Sequence, residues 1–172
     1  MTTRFFRFVL LAAAVAAVSL VASINKGHSV QDAETAPAWT ATGIDGKAVS
    51  SSDFAGKVVI LTFWATWCPP CRAEIPGFID LQKQHAKEGL VIVGASVDQG
   101  GTDAVEPFVE KTAINYPVVL ASEEMQEAFG GIEGIPATFI IDRAGKIVSK
   151  HVGFVEKKQL EKEIKPLLSA EK

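Results

Sequence analysis

Hydrophobic residues form two nearly continuous runs on either side of a helically spaced segment. Lys57 to Trp64 reads KVVILTFW and Leu90 to Val97 reads LVIVGASV, which is typical of strands that are covered on both faces of a sheet. Between them, Pro69 to Glu88 spaces its apolar residues as on one face of a helix, and Pro76 should kink that helix because it has no N–H. The pattern predicts a strand, a helix and a parallel strand in that order.

The remainder of the chain continues this alternation of strands and helices. Turn signals separate two extended pieces before residue 57, and Asp142 to Gly145 reads as a tight turn between two later strands. The closing segment is amphipathic with helical spacing. The further predicted strands are 39–44, 48–50, 116–120, 137–141 and 146–152, and the further predicted helices are 102–112, 123–129 and 156–168.

The beginning of the chain differs from the rest. Arg4 and Arg7 precede residues 8–24, where only Ser19 and Ser23 are not apolar, and this is the pattern of an export signal. We expect residues 8–24 to be retained as an anchor in the cytoplasmic membrane, the alternatives being a cleaved signal peptide that leaves a soluble periplasmic domain, or a buried N-terminal helix. The predicted organisation is a leader with a polar linker at 1–36 and one folded domain at 37–172.

Composition limits the class of this domain without identifying its partner. The 172 residues include 17 Lys and Arg, 20 Asp and Glu, 14 Gly and 8 Pro, and the formal net charge is −3. These values exclude a collagen-like or disordered chain and argue against binding to nucleic acid. The two cysteines lie three positions apart, so they cannot form the disulfide framework of a small stapled fold.

Cys68 and Cys71 stand where a predicted buried strand meets the start of a predicted helix. Unpaired N–H groups at a helix start favour a thiolate, which is the nucleophile of thiol–disulfide exchange. We therefore expect Cys68 to be the exposed attacking thiol and Cys71 the more buried resolving thiol. The alternatives are an inert structural disulfide and half of a zinc site, which would need further ligands. The three histidines are scattered along the chain, at His28, His85 and His151.

The residues around the cysteines carry a family resemblance. FWATWCPPCRAEIP at 63–76, with DFAGK at 53–57 and GIPAT at 134–138, resembles the thioredoxin superfamily and, within it, the TlpA/ResA/CcmG-like exported thiol-disulfide oxidoreductases. The similarity covers about residues 37–168. It implies an α/β thioredoxin-like fold, in which helices flank a central mixed β-sheet, with an N-terminal extension and a central insert at 98–120.

The resemblance also implies a substrate-binding surface. Pro136 matches the family's cis-proline, which packs beside the redox disulfide and leaves the backbone of Ile135 free to pair with substrate. Trp67, Pro69 and Pro70 are expected to belong to the apolar surface around the cysteines. The alternatives are an ordinary trans proline at the start of a strand and a tryptophan that is simply part of the core.

Two positions concern the handling of protons. In the ResA-like branch an acidic residue three positions after the second cysteine is associated with tuning of the active site, and Glu74 occupies that position. The alternative for Glu74 is a solvated charge in the first helical turn. Thioredoxin has a buried aspartate in its central strand, but this chain has Thr62 there, which cannot act as an acid or base near neutral pH.

The resemblance implies an exported enzyme that reduces disulfides in extracytoplasmic proteins such as apocytochrome c, and that a membrane thiol donor re-reduces. The redox centre would be the Cys68–Cys71 pair itself, with no other cofactor and no metal, and a monomer is expected. Because Pro69 and Pro70 have no N–H to offer a thiolate, we expect a comparatively reducing couple. The pKa of Cys68 should then lie nearer that of a free thiol than that of a strong oxidant's cysteine.

Other activities are possible on the same scaffold. A disulfide oxidase or isomerase would use the same cysteines. A thiol peroxidase would need the P-x-x-x-T-x-x-C setting that this chain lacks, and a copper chaperone would need a further ligand, for which Met125 and His151 are poorly spaced.

Overall fold

The structure, a computed structural model, describes residues 34–169. The predicted anchor at 8–24 and His28 lie outside the described residues, and the division into segments 1–36 and 37–172 stays a prediction. Among the described residues, no helix is long and apolar enough to cross a membrane.

Seven strands, four α-helices and two short 3-10 turns form within residues 34–169. The strands are β1 (Thr40–Gly43), β2 (Ala48–Ser50), β3 (Val58–Trp64), β4 (Leu90–Ser96), β5 (Val118–Leu120), β6 (Ala137–Ile141) and β7 (Ile147–Val152). The α-helices are α1 (Pro69–His85), α2 (Gly101–Thr112), α3 (Glu123–Ala128) and α4 (Lys157–Ser169), and the 3-10 turns are Ser51–Phe54 and Ala86–Glu88. Every predicted element is present, and most ends agree within two residues.

All seven strands belong to one mixed sheet in the order β2-β1-β5-β4-β3-β6-β7. Strands β3, β4 and β5 are parallel, whereas β6 pairs antiparallel with β3 and β1 pairs antiparallel with β5. The connection from β3 to its parallel neighbour β4 passes through α1, as the hydrophobic pattern predicts. The predicted insert at 98–120 supplies α2 and β5, and β5 joins the N-terminal strands to the rest of the sheet.

Side chains of β3 alternate between two hydrophobic cores. One core contains Ile60 and is covered by α1 and by Leu160 of α4. The other contains Leu61 and Phe63 with Met125 of α3. Burial on both faces explains why β3 is a continuous apolar run in the sequence.

Two element ends differ from the predictions for local reasons. Helix α1 ends at His85 rather than 88, and after the 3-10 turn the chain leaves the helix at Gly89, whose φ of 96° is a left-handed conformation that favours glycine. Strand β5 begins at Val118 rather than 116 because Pro117 has no N–H to donate to the ladder. The Pro117 carbonyl instead accepts a bond from the N–H of Gly94, at 2.9 Å.

Candidate active site

The two cysteines lie at the carboxyl end of β3. Residues 65–68 connect this strand to α1, Cys68 is the N-cap of the helix, and Cys71 lies in its first turn. The two residues form a disulfide with their Cα atoms 5.3 Å apart. One turn of helix therefore holds both sulfurs within bonding distance, as the spacing predicts.

The helix start offers few donors to the first sulfur. The N–H of Cys71 donates to the Sγ of Cys68 at 3.3 Å, whereas Pro69 and Pro70 occupy the first two helical positions and have no N–H. In the disulfide form, Cys71 is therefore the residue of the first helical turn whose N–H donates to the Cys68 sulfur.

The prediction of an exposed Cys68 is wrong for the disulfide form. Cys68 is 3% exposed and Cys71 is 2% exposed, so both are buried to the same degree. The reason is the loop before β6, which brings the carbonyl oxygen of Ile135 to 3.9 Å from the Sγ of Cys68. Only a small part of Cys68 meets solvent when the two sulfurs are bonded.

The residues that the sequence assigns to a substrate surface differ in exposure. Trp67 is 65% exposed and Pro69 and Pro70 are exposed as well, so Trp67 is not a core residue. The Ile135–Pro136 peptide bond is cis, as expected from the resemblance. Pro136 is buried and Ile135 partly exposed.

Two apolar residues beside this surface were not predicted from the sequence. Val152 is 70% exposed and Phe154 is 54% exposed. Val152 pairs with Ala137, the residue after the cis-proline, and the N–H of Gly153 donates to the carbonyl of Pro136 at 2.8 Å. The sequence contained evidence for this exposed pair. Val152 and Phe154 stand on either side of Gly153 at the end of the half-exposed strand β7, where few positions face the core.

An aspartate that was also missed fixes the loop before Cys68. Asp98, two positions after β4, accepts the Thr66 N–H at 3.0 Å and the Thr66 hydroxyl at 2.6 Å. It also accepts the Ser96 hydroxyl at 2.7 Å. The carboxylate thereby connects the loop before Cys68 to the end of β4.

Glu74 is buried, so its interpretation as a solvated charge is wrong. It is 4% exposed, and its Oε1 accepts the N–H of Val155 at 2.7 Å, while its Oε2 has no hydrogen-bond partner among the described residues. Burial raises the pKa of Glu74 to about 7, against the opposing effect of the Val155 bond. Burial and the charge of Glu74 also raise the pKa of Tyr116. The carboxyl group can therefore exchange a proton near neutral pH.

The central strand β3 contains no side chain that titrates near neutral pH. Thr62 is 2% exposed and accepts a hydrogen bond from the hydroxyl of Thr138 on β6 at 3.1 Å. A buried pair of hydroxyls thus occupies the place where thioredoxin has a carboxylate. Glu74, one helical turn after Cys71, is the buried acid on the side of α1.

The structure gives no support to a zinc site in the part of the chain that it describes. His85 lies 3.1 Å from Glu88, and His151 lies 2.9 Å from Glu163, both away from the cysteines. No group of three or more His, Cys, Asp or Glu side chains within residues 34–169 could hold a metal ion.

Comparisons with known proteins agree with this geometry. Residues 33–150 match the AhpC/TSA family. The thiol-disulfide oxidoreductase ResA of Bacillus thuringiensis is 33% identical over 141 residues, which cover 81% of this chain and 80% of the relative. A crystal structure of a thioredoxin-family thiol:disulfide interchange protein from Chlorobium tepidum superposes with a TM-score of 0.73 at 38% identity, over 79% of this chain and 97% of that one. A crystal structure of a putative thiol:disulfide interchange protein DsbE from the same organism gives 0.74 at 32% identity, over 80% and 97%. The predicted thioredoxin-like fold is confirmed.

Proposed function

The chain belongs to the AhpC/TSA family of thioredoxin-like proteins and is a thiol-disulfide oxidoreductase, and we propose that it is a reductant of disulfides in extracytoplasmic proteins. The resemblance found in the sequence suggests apocytochrome c as a target. In this proposal a membrane thiol donor restores the dithiol form, and the protein acts as a monomer.

In the proposed reaction Cys68 attacks the substrate and Cys71 resolves the mixed disulfide. In the reduced protein the Cys68 thiolate attacks one sulfur of the substrate disulfide, so that a Cys68–substrate bond forms and the other substrate sulfur leaves as a thiolate. The Cys71 thiolate then attacks the Sγ of Cys68 and displaces the second substrate sulfur. The substrate gains two electrons, two protons complete its thiols, and the protein ends with the Cys68–Cys71 disulfide.

Glu74 is suited to handle a proton of Cys71. Both residues are buried on one face of α1 and stand one turn apart, where side chains are neighbours. A carboxyl group whose pKa is raised to about 7 can take up the Cys71 proton when the resolving step begins and return it when the disulfide is reduced. It would act on Cys71 without being a nucleophile itself.

The direction of electron flow rests on one observation. The Cys71 N–H is the donor that the helix start gives to Cys68, because Pro69 and Pro70 provide none. Weak stabilisation of the thiolate leaves the dithiol form less stable than it is in a strong oxidant, which makes the couple a better electron donor.

Equilibration of the full chain with dithiothreitol and glutathione buffers tests this direction. We expect a potential nearer the value of thioredoxin, about −270 mV, than that of DsbA, about −120 mV. A value close to −120 mV would instead favour the oxidase.

The extracytoplasmic location is supported by Arg4, Arg7 and the apolar residues 8–24. It can be tested by protease digestion of intact spheroplasts, since a domain outside the membrane should be digested.

A further inference from the structure

A groove runs along the outer face of α1, between that helix and α2. Its floor is apolar and includes Ile75, Ile79 and Phe108, and its volume is about 660 Å3, which is in the range of ligand-binding clefts. Ile75 is buried, whereas Ile79 and Phe108 are partly exposed. We name this feature the α1–α2 groove.

The α1–α2 groove begins at the redox site. Pro69, which lies between the two cysteines, lines one end, and Asp80 lines the other. At a rise of about 1.5 Å per residue, α1 advances about 16 Å between them, which is the length of about five residues of extended chain. A segment of substrate that continues from a cysteine bonded to Cys68 can therefore lie along the groove.

The charge of the groove is positive beside the cysteines and balanced at the far end. The guanidinium carbon of Arg72 lies 5.8 Å from the ring centroid of Phe108, a stacking distance for a cation on an aromatic face. None of the ion pairs found among residues 34–169 involves Arg72. Asp80, in contrast, is paired with Lys157 at 3.1 Å. An acidic group that enters near the cysteines meets an available cation.

Pro76 adds to the apolar surface of the groove. It is exposed on α1 and lines the groove between Ile75 and Ile79. The apolar lining and the cation together suit a peptide with apolar and acidic side chains better than a small apolar molecule.

A second groove, of about 280 Å3, lies around Trp39, Phe54 and Asp142. It is lined by residues around the start of β3 and by the turn between β6 and β7, and none of residues 67–72 contributes to it. Pro69 and Arg72, which are next to the cysteines in sequence, line the α1–α2 groove instead.

We propose that the α1–α2 groove binds the polypeptide segment next to the reacting cysteine of a substrate protein. An apolar side chain of that segment packs on Ile79 and Phe108, and an acidic side chain pairs with Arg72. The inference rests on the proposed reductant function and adds to it the chemistry of the preferred substrate. The exchange itself stays at Cys68 and Cys71.

Two synthetic peptides test this preference with the reduced full chain. Each carries one cysteine in a mixed disulfide with glutathione. Leucine and glutamate residues flank the cysteine on both sides in the first peptide, and glycine and serine replace them in the second. Oxidised glutathione is the reference substrate, and each peptide rate is divided by the rate for this reference. We expect the ratio to be about tenfold higher for the first peptide, which corresponds to about 1.4 kcal/mol.

The matched variants are Ala73→Glu and Ala128→Glu. Ala73 is exposed on α1 and lines the groove, so glutamate there should fill the groove, repel the acidic side chain and remove the tenfold preference. Ala128 is exposed on α3 outside the groove, and its variant should keep the preference. No preference in the unchanged protein, or a preference that survives Ala73→Glu, overturns the inference. Failure to reduce any of the three disulfides would instead refute the proposed function.

Discussion

The polar side chains at the two ends of the central strand β3 have different roles. At the amino end, Arg143 from the turn between β6 and β7 donates to three carbonyls, those of Gly56, Glu88 and Leu168, at 2.8 to 3.1 Å. These carbonyls belong to the start of β3, the end of the 3-10 turn after α1, and the end of α4. One side chain thereby joins three segments that are distant in sequence.

At the carboxyl end the polar groups are left available. Glu74 has a carboxyl oxygen without a partner among the described residues, the first two helix positions offer no N–H, and Trp67 is exposed. Unpaired buried groups cost free energy, and they occur near both ends, because the Nε of Arg143 and the Nε2 of His85 also lack a partner among the described residues. The difference is that the Glu74 carboxyl, whose pKa is raised to about 7, can exchange a proton beside the disulfide, whereas the Arg143 side chain holds three segments together at the other end. Variants at the two ends should therefore affect different measurements.

The largest effect is expected from the cysteines. Cys71→Ser removes the resolving thiol, so multiple-turnover reduction should fall by about a thousandfold or more, about 4 kcal/mol, while a Cys68-linked covalent complex accumulates. Non-reducing gels and mass spectrometry would detect the complex. Cys68→Ser is the matched control and should lose activity without trapping a partner. A complex formed equally by both variants would contradict the assignment of Cys68 as attacking thiol.

At the opposite end, Arg143→Ala should lower the free energy of unfolding by about 3 kcal/mol, because three carbonyls lose a charged donor. Urea denaturation of the disulfide form measures this change, and the rate of reduction of oxidised glutathione by the folded dithiol form should change by less than about twofold. Lys146→Ala, at an exposed position just after the same turn, should have little effect on either. A large loss of reductase rate in folded Arg143→Ala would show that the two ends are not separate.

Glu74→Gln tests the proton at the redox end. The pKa of Glu74 in the folded domain, about 7, lies above its ordinary value of 4.5, so the folded state binds the proton more tightly than the unfolded state does. The resulting stability is fully present below about pH 4.5 and is lost as the pH rises through 7, by about 3 kcal/mol.

Glutamine keeps an acceptor for the Val155 N–H and cannot ionise. The stability of the Glu74→Gln variant, measured by denaturation of the disulfide form between pH 4.5 and 8, should therefore lack this decline. Glu110→Gln on the exposed face of α2 should retain it. Parallel pH curves for Glu74→Gln and the unchanged protein would rule out the raised pKa.

The smallest effect concerns the loop before Cys68. Asp98→Asn replaces one acceptor oxygen by an amide that cannot accept, so the free energy of unfolding should fall by about 1 kcal/mol. Hydrogen exchange at the Thr66 N–H should become faster. Asp103→Asn, exposed on α2, serves as the comparison. Unchanged exchange at Thr66 would mean that the loop does not depend on Asp98.

The hydrophobic pattern was sufficient to predict those elements whose residues are close both in sequence and in space. The apolar run at 57–64 predicts β3 because a strand buried on both faces is continuously apolar. The helical spacing after Cys68 predicts α1 because a helix buried on one face repeats its apolar residues every three to four positions. The same spacing contained evidence on Glu74, since a residue three after Cys71 and four before Phe78 lies on the buried face of α1. The bond to Val155, far along the chain, could not be derived from any periodicity.

Contacts between distant segments account for the remaining differences. The burial of Cys68 depends on the loop at Ile135, and the role of Arg143 depends on three carbonyls that only the folded chain brings together. Asp98 looks like an ordinary loop aspartate until β4 is placed beside the end of β3. Non-local partners of this kind are decided by topology, which the residues of one segment do not encode.

The position of Asp98 has a consequence for how such domains can diversify. Its carboxylate holds Thr66 by two hydrogen bonds from a position just before α2 begins, so the loop before Cys68 does not depend on the exposed residues of α2 for its position. A protein engineer could therefore exchange the exposed positions of α2 between relatives while keeping Val105, which is buried in the core with the cysteines. The reactive chemistry would stay the same while the wall of the neighbouring groove is replaced.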